Sequence, residues 1–205
     1  GFCIYCGSRD VKLGEEHIIP YALNGAMVLP MASCKNCEKE THTYEYTVCR
    51  RIFGNFRISY KVRSRRKKER PSHIEIGTIS KDGKLGKALV PVDEHPAILF
   101  LYKFEESDYL KGNREEDSKF NWVPISIFSN KELDELIQKY NWDRKVEVKM
   151  VPVEFARMLA KIAYSFAMAE VTLEGFTPFQ QLVDVILNRS NNVSYLIGGD
   201  WGIPA

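Results

Sequence analysis

Cys3-Ile4-Tyr5-Cys6 and Cys34-Lys35-Asn36-Cys37 bracket the stretch on which the reading of this chain turns. Between them run Leu13-Gly14-Glu15-Glu16-His17-Ile18-Ile19-Pro20, Tyr21-Ala22-Leu23-Asn24-Gly25 and Val28-Leu29-Pro30-Met31-Ala32-Ser33. Two residues between cysteines let one tight turn aim both sulfurs at a single ion, and two such turns complete a tetrahedral zinc site. Disulfides or redox dithiols are the alternative, but disulfide frameworks belong to small secreted chains that lack a core. Four sulfur ligands leave no open coordination position, so zinc on Cys3, Cys6, Cys34 and Cys37 is expected to be structural. It would hold residues 3–37 as a frame and present what lies inside. Cys49, outside both pairs, reads as a small buried apolar residue.

After Cys37, residues 38–51 contain no Gly or Pro and read as a helix that stops before Gly54. Glu38, Thr41, His42 and Glu45 fall at i, i+3, i+4 and i+7, on one face. A Glu16-His17 pair thus precedes a helix that aligns oxygen and nitrogen donors. Together, Cys3-x-x-Cys6, Glu16-His17-Ile18-Ile19-Pro20, Asn24-Gly25 and Cys34-x-x-Cys37 opening a helix resemble the HNH endonucleases with a ββα-metal site. The likeness is to the subgroup braced by a four-cysteine zinc, and it covers residues 3–50.

The resemblance implies hydrolysis of phosphodiester bonds with His17 as general base. A histidine near its free pKa can take a proton from water at neutral pH. A divalent ion, Mg²⁺ or Mn²⁺, would supply the charge on the phosphate oxygens. Glu16 is the implied ligand from the strand. The helix ligand in the family is an Asn or His just after the second cysteine pair; here Glu38 stands there, with His42 one turn on and Glu45 a turn beyond. The family's base-orienting Asn falls at Leu29, so Asn24 or a main-chain carbonyl is expected to hold the imidazole.

Charge supports a polyanionic partner. The chain of 205 residues has a formal net charge of +2, yet residues 50–70 hold ten Lys/Arg and a single acid, a local +9, leaving −7 for the rest. Arg57, Lys61, Arg63 and Arg65 alternate with Ile58, Tyr60 and Val62, which predicts a strand with one charged face for tracking phosphates. Arg66, Lys67 and Lys68 extend the basic run. A solvated surface run is the plainer alternative.

Beyond Pro71, a hairpin is expected around Asp82-Gly83, a strand over 96–104 and a mobile polar loop over 105–119. Helices are expected over 131–140, 153–170 and 178–188, and a strand over 145–151. In the longest helix, Phe155, Leu159, Ile162, Phe166 and Ala169 form the apolar stripe expected to face the core.

With 44% apolar and 27% charged residues, the chain can bury a core. Its apolar runs are far too short to span a bilayer, and no signal-peptide pattern appears, so a cytoplasmic setting is expected. The expected architecture is α+β: a zinc-braced ββα module over 1–54, a basic segment over 55–70 and a mixed sheet-and-helix domain over 71–205. The expected function is metal-dependent cleavage of double-stranded DNA, as in restriction or phage defence, with homodimerisation for cutting both strands. The competing readings are a zinc-ribbon nucleic-acid-binding protein without catalysis, and regulation through a partner of residues 71–205.

Overall fold

The computed structural model describes residues 1–64, 70–79, 82–95, 99–127, 130–140, 150–171 and 179–199. It is a mixed α+β structure built from three two-stranded antiparallel sheets and six helices among those residues. Strand β1 (Leu13–His17) pairs with β2 (Val28–Cys34), and helix α1 (Lys35–Arg51) starts directly from the second cysteine pair. The β1–β2 ladder is interrupted. Gly14 faces Ser33, but Glu16 faces Leu29, so β2 carries two extra residues. Pro30 has no N–H to give a ladder, and Met31 takes a positive φ of 47° and lies exposed.

The long helix α4 (Pro152–Glu170) forms where expected, opened by Pro152 at its first turn. Its buried face is not the expected one. Phe155 is buried, but Leu159 is 37% and Phe166 48% exposed, while Arg157, Lys161 and Ser165 are buried instead. Those polar side chains have partners inside: Arg157 donates to the carbonyls of Val185 and Ser190 and to Asn191 Oδ1. Hydrogen bonding thus overrides the apolar stripe in orienting the helix.

Helix α4 packs on α1 and on α5 (Gln180–Ile186), and two cores form along it. The first joins Cys3, Ile4, Tyr5, Cys34 and Cys37 to Ala160, Tyr164 and Met168 of α4 and to Val183, Ile186 and Leu187. The second joins Tyr44, Val48 and Ile52 of α1 to Phe155 and Met158 of α4 and to Tyr102 and Phe104 of β5 (Leu99–Phe104). Each fully buried side chain such as Val48 or Met158 contributes about 1.5–3 kcal/mol.

Strands β3 (His73–Ile79) and β4 (Leu85–Pro91) make the expected hairpin, with Gly83 at φ 76° in the turn; β5 pairs with β6 (Trp122–Ile127). Helix α3 (Asn130–Tyr140) sets Ile137 and Tyr140 against Ile76 and Val90. Main-chain hydrogen bonds tie part of residues 105–119 to the C-terminal segment. The amides of Asp108 and Tyr109 donate to the carbonyls of Ser194 and Tyr195 in α6 (Val193–Leu196), and Gly199 N donates to Glu105 O. Most of the strand expected over 145–151 lies outside the described residues. No helix among the described residues is long and apolar enough to cross a membrane.

Candidate functional site

The sulfurs of Cys3, Cys6, Cys34 and Cys37 all lie within 4.8 Å of one another, and all five cysteines of the chain are free. Among the described residues this is the only such grouping of His, Cys, Asp or Glu ligand atoms. Its donors are soft, close together and largely buried, which suits a structural zinc. Burial pushes the Cys3 and Cys37 thiols up. Burial also acts on Cys6, but its hydrogen bonds, first of all with Ser8 at 3.1 Å, outweigh it and hold that thiol down at about 6. Binding a cation would release protons from the thiols that still carry them.

Beside the cluster, β1 and α1 form two walls of a cleft of about 460 Å³. Glu16 and His17 line it from β1, and Glu38, Thr41, His42 and Glu45 line it from α1. The helix face read from spacing is therefore the face that meets the strand end. His17 stands edge-on to Tyr21, with ring centroids 5.7 Å apart. Tyr46 lies beside His42 at 6.0 Å, and Arg50 stacks over the Tyr46 ring at 5.3 Å.

The carboxylates of Glu16 and Glu45 converge on a residue that sequence reading missed. Lys161 of α4 is 0% exposed, and its Nζ lies 2.6 Å from Glu16 Oε1 and 2.9 Å from Glu45 Oε1. Glu45 Oε1 is buried, and the Lys161 ammonium is the cation it faces. Burial raises the Glu45 carboxyl above its ordinary range; Lys161 pulls it down, and the charge of Glu16 pushes it up again. The signal for Lys161 was present as the single charge between Met158 and Ala169, on an apolar helix. Glu38 and His42 are exposed on the open side of the cleft.

Asn24 and Leu29 are placed elsewhere. Asn24 adopts φ 67°, and its Oδ1 accepts the main-chain N–H of Arg63 at 3.0 Å; it is not among the cleft-lining residues. Leu29 packs against the cysteine core.

The start of the basic segment is helical where a strand was expected: Arg57 and Ile58 lie in a helix, and residues 60–64 form neither helix nor strand. Residues Gly54–Ser59 form α2, which follows α1 after a turn at Ile52 and Phe53, and Lys61 turns the chain at φ 49°. A few alternating residues satisfy either period, and the neighbouring helix decides between them. Arg50, Arg57 and Arg63 all line the cleft. Arg57 donates to the carbonyl of Cys49 at 3.3 Å, and its buried Nε has no hydrogen-bond partner among the described residues. A second groove shares Arg50 and Arg57 with the cleft and adds Arg70. Lys61 is exposed but lines neither; Arg65, Arg66, Lys67 and Lys68 lie outside the described residues.

No family model, curated protein or solved structure matches this chain.

Proposed function

We propose that this chain is a metal-dependent endonuclease of the HNH kind, hydrolysing phosphodiester bonds of double-stranded DNA. One observation carries the reading: His17, Glu38 and His42 line a single cleft that is braced by a four-cysteine cluster and rimmed by Arg50, Arg57 and Arg63. His17 takes the proton from the attacking water, and the arginines hold the phosphate backbone across the opening. Asn24 fixes the main chain at Arg63 and so helps place that arginine at the cleft. Glu38 and His42 are the residues to hold Mg²⁺ or Mn²⁺, which would polarise the phosphate and stabilise the leaving oxygen, while Glu16 and Glu45 are engaged by Lys161. Zinc on the four cysteines holds the frame and takes no part in the chemistry.

A second reading, a nucleic-acid-binding module without catalysis, draws on one specific feature. Glu16 and Glu45 are already committed to Lys161, and among the described residues no compact oxygen-ligand set stands free. Incubation of zinc-loaded protein with supercoiled plasmid, with and without added Mn²⁺, separates the two. The nuclease reading expects nicked and linear products only with the ion. Intact plasmid that is nevertheless retarded on a gel supports the binding module.

A further inference from the structure

We propose that Lys161 is a positioning residue of the cleft: its ammonium is the resident cation of the Glu16–Glu45 pair, through which α4 sets the place of His17. The catalytic consequence rests on the nuclease reading above; the cation assignment rests on geometry alone.

Four oxygens surround the ammonium. Two are the carboxylate oxygens at 2.6 and 2.9 Å, and two are the main-chain carbonyls of His17 and Ile18, the latter at 3.4 Å. These oxygens come from β1, from α1 and from the chain just after β1, whereas the lysine comes from α4. Two carboxylates and two carbonyls are the donors a small hard cation takes. An ammonium has only three N–H groups to share among these four oxygens.

A fully buried lysine is costly unless it is paired, and removing one partner of such a group leaves an uncompensated buried charge. The carboxylates therefore need the lysine as much as it needs them. Its bond to the His17 carbonyl fixes the main chain from which the imidazole projects. A divalent ion cannot sit between Glu16 and Glu45 while the ammonium does.

The test counts Mn²⁺ bound per chain, by electron paramagnetic resonance of the free ion, on the whole zinc-loaded chain. Wild type and Glu45→Gln are expected to bind Mn²⁺ alike. Lys161→Met is expected to gain one Mn²⁺, Lys161→Met/Glu45→Gln to lose that gain, and Lys161→Arg to match wild type. In plasmid nicking, Lys161→Met should lower kcat about 10–100-fold with KM nearly unchanged, and Lys161→Arg should recover most of it. Loss of Mn²⁺ in Glu45→Gln alone, or no gain in zinc-replete Lys161→Met, overturns the proposal. Should Lys161→Met fail to hold zinc, Glu45→Gln by itself decides. If wild type leaves plasmid intact while the Mn²⁺ counts follow expectation, the nuclease reading fails and the cation assignment stands.

Discussion

The phenolic hydroxyl of Tyr164 donates to the carbonyl oxygen of Ile4 at 2.5 Å, joining the middle of α4 to the turn between Cys3 and Cys6. Burial, with the charge of Cys3 beside it, pushes this phenol up to about 12, so it remains a donor throughout the neutral range. Tyr5 answers from the other side, stacking on Tyr164 at 5.7 Å and sharing a hydrogen bond with Ser165. Tyr164→Phe keeps the ring and leaves the Ile4 carbonyl unpaired. It should cost about 1 kcal/mol in urea unfolding of the zinc-loaded protein, with the denaturant slope unchanged. An unaltered midpoint would show that the contact adds nothing.

Zinc should matter far more than any single contact. Cys37 is buried in the core that includes Ala160, Tyr164 and Ile186, so losing one ligand loosens the frame and the helices packed on it. Cys37→Ser, or treatment with a strong chelator, should lower the melting temperature by about 10 °C or more. Colorimetric zinc determination on the same samples should show the ion leaving. A chelated protein that melts like the untreated one would mean the cluster holds no structural ion.

Gly25 allows the loop after β1 to close on itself. A Cβ there would lie 1.8 Å from the Ile19 carbonyl oxygen, which is backbone and cannot swing aside. Gly25→Ala should therefore destabilise by about 3 kcal/mol and push residues 18–20 away, disturbing His17 with them. Unfolding midpoints measure the first effect, and plasmid nicking the second. A variant as stable as wild type would contradict the close approach.

Much of this arrangement could be read from residue spacing alone. The two Cys-x-x-Cys pairs announced the cluster, and the i, i+3, i+4, i+7 run from Glu38 to Glu45 announced the helix face that lines the cleft. Both signals are local, set by one turn or one helix. The orientation of α4 was not legible, because Leu159 and Phe166 outscore Lys161 and Ser165 in any hydropathy pattern. What buries Lys161 is a pair of carboxylates far away in sequence, and no window contains both. Arg57 to Arg63 failed for a different reason: three or four alternating residues fit a strand as readily as the short helix α2 that forms there.

Glu45 should impose a pH dependence on stability. Burial raises its carboxyl in the folded chain above the ordinary value of 4.5, against the pull of Lys161. Folding then favours the protonated form, so the contribution is full below about 4.5 and is lost as pH rises through the elevated folded value. Glu45→Gln cannot ionise and escapes this loss. The urea midpoint of the variant minus that of wild type should grow more positive from pH 4.5 towards neutrality. A difference independent of pH would place the Glu45 carboxyl in its ordinary range.

The central claim is that His17 activates water in this cleft, and it is tested most directly by comparing wild type with His17→Ala on supercoiled plasmid in Mn²⁺. His17 is only partly buried and is not among the core residues, so the variant should keep its zinc and its affinity for DNA. Nicking should fall by about two to four orders of magnitude, the range that positioned acid–base catalysis supplies. Cleavage by His17→Ala at the wild-type rate, with zinc and DNA binding intact, would contradict the account.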